Sequence, residues 1–138
     1  ASVDNNVRPP ESDIVKYGEY MSTVADCATC HTPFVKGQLD FARMYGGGNT
    51  FNVGECKVNA ANISSDSLTG IGSWTEERFM NKFTVYREEK SYNYNPGKQN
   101  TVMPLSEYAG MTDKDLKAIY AYLRTTKPVS NLVEKYPK

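Results

Sequence analysis

Apolar positions recur with helical spacing in three stretches of this chain. From Ser12 onward Ile14, Val15, Tyr17, Met21 and Val24 share a face that runs up to Cys27, which predicts an amphipathic helix. Ser12 is placed to cap it, with Asp13 and Glu19 toward the positive end of its dipole. Gly18 interrupts this pattern. A glycine inside a helix costs about 1 kcal/mol against alanine, so its use here points to close approach by another element. A second helix is predicted from Ser73 or Thr75 to about Val85, with Glu76 and Glu77 in its first turn and Phe79, Met80 and Phe83 on its apolar face. The last runs from Asp113 to about Thr125 behind a Thr112 cap. Leu116, Ile119, Tyr120 and Leu123 fall on one stripe, and Lys127-Pro128 ends it.

The intervening sequence has no such period. Residues 33–72 are punctuated by Gly46-Gly47-Gly48-Asn49, Gly54, Gly70 and Gly72, which break up any long helix or strand. An irregular stretch of that length is unusual in a compact domain unless it wraps something. Residues 86–101 are polar and carry Tyr86, Tyr92 and Tyr94, and read as an irregular loop. Residues 1–11 read as a flexible arm. No internal repeat is present, and 138 residues make a single domain.

Composition narrows the function classes. Sixteen basic and sixteen acidic side chains cancel, with no basic run, so nucleic acid and anionic lipid are not the expected partners. Acids dominate residues 1–30, through Asp4, Glu11, Asp13, Glu19 and Asp26. Bases dominate from Thr112 onward, through Lys114, Lys117, Arg124, Lys127, Lys135 and Lys138. The two ends would attract mildly if packed together. The mean hydropathy of −0.58 describes a soluble chain, and no apolar run approaches the roughly 18 residues of a membrane span. The polar opening from Ala1 to Pro10 fits a mature N-terminus left after processing, or a chain trimmed at an anchor.

The decisive chemistry lies at Cys27-Ala28-Thr29-Cys30-His31. C-x-x-C-H is the attachment signal for c-type haem: two thiols add across the vinyl groups as thioethers, and the adjoining histidine becomes an axial ligand of the iron. A redox dithiol is one rival reading, but its usual βαβ setting is missing. A zinc site built from Cys27, Cys30, His31 and distant Cys56 is another.

His31 is the sole histidine, so two histidines from one chain cannot flank the iron. Of five methionines, Met21, Met80 and Met111 read as core or staple positions and Met44 as an early-loop residue. Met103 is the expected distal ligand. It sits in Thr101-Val102-Met103-Pro104-Leu105, where the following proline biases it toward extended backbone, ahead of the last helix. Cys56 has no intrachain partner once Cys27 and Cys30 carry haem. It reads as a buried or unreactive thiol, with intermolecular pairing and axial ligation as alternatives.

These motifs, in this order, resemble class I c-type cytochromes. KYGEYMSTVADCATCH (Lys16 to His31), NISSDSLTGIGSW (Asn62 to Trp74) and MPLSEYAGMTDKDLKAIYAYLRTTKPV (Met103 to Val129) are similar to the bacterial cytochrome subunits of membrane-associated alcohol, aldehyde and gluconate dehydrogenases. The resemblance implies an all-α cytochrome c-like fold over residues 12–138, with first and last helices crossing near Gly18 and Tyr120 and loops wrapped around one haem. It implies that Asn62 and Trp74 lie near the haem propionates while Ile63 and Ile71 line the pocket. Such subunits generally carry several haems, whereas this chain has one C-x-x-C-H. The expected function is electron transfer without substrate turnover, between a dehydrogenase and an oxidase or another cytochrome. The expected setting is the bacterial periplasm or another exported location, with possible association with a membrane complex. The alternative is a haem domain that binds a small ligand, or catalyses peroxide or sulfur chemistry, through an open or Cys56-ligated sixth position.

Overall fold

The computed structural model describes residues 7–88 and 100–137. Most of the tyrosine-rich loop, including Tyr92 and Tyr94, and the first six residues of the arm lie outside the described residues. Five helices are α1 (Ile14–Val24), α2 (Cys27–His31), α3 (Glu76–Thr84), α4 (Leu105–Tyr108) and α5 (Asp113–Leu123). Short 3-10 turns follow at Phe41–Arg43 and Val85–Arg87. The all-α expectation is corrected in one respect. The glycine-punctuated stretch folds as two antiparallel hairpins, β1 (Phe34–Val35) with β2 (Gln38–Leu39) and β3 (Thr50–Val53) with β4 (Cys56–Asn59). Glycines at 37 and 54, both at positive φ, make their turns.

The helix boundaries follow from their caps. Asp13, not Ser12, caps α1 by accepting from the Lys16 amide. Thr75 caps α3 through the Arg78 amide, with Glu76 and Glu77 in the first turn as expected. Thr112 and Asp115 form a reciprocal box at the start of α5, at 3.1 and 3.2 Å. The first helix does not run on to Cys27. It stops at Val24, the chain turns through Asp26 in the left-handed region (φ 59), and α2 starts afresh.

The core gathers Tyr45, Ile71, Phe79, Met80, Phe83, Leu116, Ile119 and Leu123. From α1 it takes Tyr17, Gly18 and Ser22 as the buried side, while Ile14, Val15 and Val24 are exposed. The expected apolar face of α1 is thus rotated, because small residues face α5. A Cβ on Gly18 would lie 1.9 Å from the Ala118 carbonyl oxygen and 2.8 Å from Tyr122 Cβ. The crossing occurs at Ala118 and Tyr122, either side of the expected Tyr120. The Tyr120 side chain itself turns toward α3, its ring tilted against Phe79 at 5.5 Å and its hydroxyl donating to the Trp74 carbonyl at 2.6 Å.

Beside the crossing, Tyr17 Oη donates to Asp115 Oδ1 at 2.5 Å while the Arg8 guanidinium donates to Tyr17 Oη at 2.9 Å. The acidic and basic ends do meet, through Lys114 and Glu11 at 3.8 Å, but that pair is exposed and contributes little. Burial pushes the Asp115 carboxyl up, yet the hydrogen bonds from Tyr17 and from the Thr112 amide and hydroxyl outweigh it and hold it below the ordinary carboxylate range.

Two outcomes follow from this crossing. Gly18→Ala places a methyl against backbone that cannot move aside, and thermal unfolding of the haem-loaded protein should show a loss of about 3 kcal/mol. A stability within the error of wild type would mean that α1 and α5 separate freely. The depressed Asp115 carboxyl contributes fully above its unfolded-chain value, about 3.9, and that contribution is lost as pH falls through the lower folded value. Asp115→Asn should therefore flatten the acid limb of the stability–pH curve, whereas parallel curves for variant and wild type would count against this.

Candidate haem-attachment site

The α1–α2 break aims the motif. Asp26 in its left-handed conformation reverses the chain, and the Thr29 hydroxyl holds the Asp26 carboxylate at 2.5 Å. One short helix then carries Cys27 half-buried, Cys30 exposed and His31 buried. The two form no disulfide with each other. Burial pushes the Cys27 thiol up to about 11, and burial with the nearby Asp26 raises Cys30 as well. A redox dithiol needs one thiol depressed toward neutrality. Both are raised, the direction burial gives any thiol. Zinc finds no cage: among the described residues no three His, Cys, Asp or Glu side chains gather as metal ligands.

His31 is fixed by a carbonyl from far along the chain. Its Nδ1 donates to the Ala61 carbonyl oxygen at 2.7 Å, which assigns the proton to Nδ1 and leaves the Nε2 lone pair available. Burial lowers the imidazole's pKa, partly opposed by the Ala61 bond, so the ring is neutral near pH 7. That is the form a metal requires. The Gly47 amide donates to the His31 carbonyl at 2.7 Å. Gly47 adopts φ +72, and a Cβ there would lie 2.5 Å from the Ala61 carbonyl. No other residue fits between His31 and its acceptor. Asn49 completes the frame, its amide donating to the Cys30 and Thr32 carbonyls at 3.0 and 2.6 Å.

The expected pocket residues follow on from this acceptor. Asn62 is buried and fully engaged with the chain: its amide nitrogen donates to the Val129 carbonyl at 2.8 Å, and its oxygen accepts from the Ser64 amide and hydroxyl. Ile63 is half-buried against the core, and Ile71 is within it. Trp74 is half-buried under the Arg78 guanidinium, 4.0 Å from the ring centroid, and its indole N–H has no acceptor among the described residues.

Met103 is half-buried against the same core, in a bend rather than a fully extended run; its amide donates to the Thr101 hydroxyl at 3.1 Å. Directly after it comes α4, which the sequence pattern did not reveal. Its Tyr108 hydroxyl donates to the Ala25 carbonyl at 2.6 Å, tying the Met103 segment to the α1–α2 junction. Periodicity could not show this, since α4 is one turn long; an aromatic five residues past Met103 was the available signal. Met80 is buried in the core, while Met21, Met44 and Met111 are packed around it. Cys56 pairs with Val53 at the tip of the β3–β4 hairpin, three residues before Asn59, or about 10 Å along the strand.

Two cysteines on one helical turn, with a buried neutral imidazole directly after them, fit a covalently attached haem. Two hollows lie elsewhere. One, of about 520 Å³, runs along Arg78 and Lys82, and another, of about 390 Å³, lies between Ile14 and Lys117.

Comparison with known proteins agrees with this chemistry. The family model for cytochrome c matches residues 15–127. The gluconate 2-dehydrogenase cytochrome c subunit of Pantoea cypripedii is 33% identical over 79% of this chain. The fructose dehydrogenase cytochrome subunit of Gluconobacter japonicus is 31% identical over 83%. The alcohol dehydrogenase (quinone) cytochrome c subunit of Gluconobacter oxydans (strain 621H) is 30% identical over 85%. The chain spans only 22% of the length of each of these relatives. The chain belongs to the cytochrome c family, whose cofactor is a covalently attached c-type haem.

Proposed function

We propose that this chain is a one-electron carrier in which Cys27 and Cys30 bear the thioethers of a single haem, and His31 Nε2 and Met103 Sδ are its axial ligands. The observation that carries the reading is the His31 ring itself: buried, and pinned through Nδ1 so that only Nε2 is free to bind a metal. The haem, when bound, supplies the ferrous–ferric couple. The chain's own part is to hold the ligands still. The Ala61 carbonyl and the close-packed Gly47 restrict the imidazole, and α4 with its Tyr108 anchor restricts Met103. Ligands that keep their places in both oxidation states keep the reorganisation accompanying each transfer small.

Ile63 and Ile71 line the pocket in this reading. The indole N–H of Trp74, which has no acceptor among the described residues, serves a propionate, and Asn62 stiffens the wall beside it. A methionine ligand favours ferrous iron and raises the potential, as suits an electron carrier. The relatives are named as cytochrome subunits of dehydrogenases, which supports a dehydrogenase as donor; the proposed acceptor is an oxidase or another cytochrome. The proposed setting is exported and periplasmic, in association with a membrane complex; the relatives are bacterial. No helix among the described residues is long and apolar enough to cross a membrane. The carrier performs no substrate turnover of its own. With acids and bases balanced, docking relies on local contacts more than on long-range steering.

Spectra of the oxidised and reduced protein test the ligands together. Wild type should show the weak long-wavelength ferric band of thioether ligation and should not bind carbon monoxide rapidly when reduced. Met103→Ala should abolish the band and open the reduced protein to carbon monoxide while haem remains attached. An unaltered spectrum would refute Met103, and rapid carbon monoxide binding by wild type would favour the small-ligand reading. In the double variant Cys27→Ser with Cys30→Ser, acid–acetone should extract the haem that wild type retains. Retention by the variant would sink the thioether assignment.

A further inference from the structure

Past α5 the chain leaves the helix at Lys127-Pro128 and returns as an irregular strap, residues 129–135, over the two segments that frame His31. Its contacts are specific. Val129 is buried and packs on Gly46, while its amide donates to the Ser64 hydroxyl at 3.0 Å. The Asn131 side-chain amide donates to the Gly46 carbonyl at 2.9 Å. Asn62 reaches back from the other side, donating to the Val129 and Asn131 carbonyls at 2.8 and 3.1 Å. Further on, the Asn59 backbone and side-chain amides donate to the Lys135 and Glu134 carbonyls, each at 2.8 Å.

These bonds converge on one peptide group. Ala61 lies between Asn59 and Asn62, both bound to the strap, and Gly47 packs on its carbonyl next to strap-bound Gly46. The cross-pairs of Gly48 with Ala60 and of Ala60 with Asn49, both at 2.8 Å, lock the same two segments together. The Ala61 carbonyl cannot turn away from the imidazole without breaking part of this set.

The structure assigns to the strap a tuning function: Asn131 and Asn62 are positioning residues that hold the Ala61 carbonyl on His31 Nδ1, and thereby set the donor strength of Nε2 toward the haem iron. This rests on the reading of His31 as the axial ligand. An imidazole whose Nδ1–H is firmly held by a carbonyl is the more basic ligand. A more basic ligand favours ferric iron, so loosening the strap favours ferrous iron and raises the reduction potential. A strap that merely closes the core would affect stability and leave the potential unmoved.

The test uses the haem-loaded protein with two variants, Asn131→Ala and the more exposed tie Asn59→Ala. Two quantities are read: the ferrous-to-ferric ratio at the wild-type midpoint, and exchange of the His31 Nδ1–H with solvent by NMR of the ferrous form. In Asn131→Ala the ratio should rise roughly threefold, part of the tenfold or larger effects of removing an outer-shell partner outright. Nδ1–H exchange should quicken in step. Asn59→Ala should move both the same way by less, and it decides the matter if Asn131→Ala does not fold. Wild-type values of both quantities in the folded variants would overturn the proposal, as would a shifted potential with unchanged Nδ1–H exchange. A wild-type spectrum without His31 on the iron would overturn this proposal and its parent reading together, and is visible before any variant is made.

Discussion

One hydrogen bond, from His31 Nδ1 to the carbonyl of Ala61, organises the rest of this molecule. It joins residues thirty positions apart, so the segment between must leave the histidine, turn, and bring a single carbonyl back to it. That requirement accounts for the glycine-rich stretch. Gly47 supplies a left-handed residue with no side chain where Ala61 approaches, and the β3–β4 hairpin returns the chain with Asn59 opposite Thr50. Had the segment been a long helix, its carbonyls would be spent internally and none would be free for the imidazole.

The opposite wall is set by the α1–α5 crossing, and its tightness explains which sequence signals were readable. Caps and stripes are local, so the starts of α3 and α5 followed from Thr75 and Thr112 with their acidic followers, and the stripe of α5 from Leu116, Ile119 and Leu123. C-x-x-C-H was readable for the same reason: its chemistry is confined to five adjacent residues. The buried side of α1 was readable only in part. Tyr17 and Met21 face the core as the pattern suggested, but close approach at Gly18 buries Gly18 and Ser22 and leaves Ile14, Val15 and Val24 exposed. Gly18 announced a crossing without naming its partner, since Ala118 and Tyr122 are a hundred residues away.

The other omissions have a common cause. Strands of two and four residues are too short to set up an alternating pattern, so punctuation by glycine looked like loop. The one-turn helix α4 and the strap after Pro128 carry no period at all. Their order comes from bonds such as Tyr108 to Ala25 and Asn131 to Gly46, each spanning more than eighty positions. A residue's type shows that it can make such a bond; only the fold shows with what.

The character of these long-range bonds bears on what an electron carrier needs. The ion pairs Lys114–Glu11 and Lys117–Glu76 are solvent-exposed, and pairs of that kind add little rigidity and weaken with salt. Around the motif the chain is cross-linked instead by neutral donors: a tyrosine hydroxyl and asparagine amides on backbone carbonyls, at the Ala25, Val129 and Gly46 positions. Such bonds do not titrate near neutral pH and are not screened. A frame made of them holds the imidazole in one place without adding charges whose ionisation would move the potential. Rigidity at His31 is thereby separated from the charged surface, and each can be altered without disturbing the other.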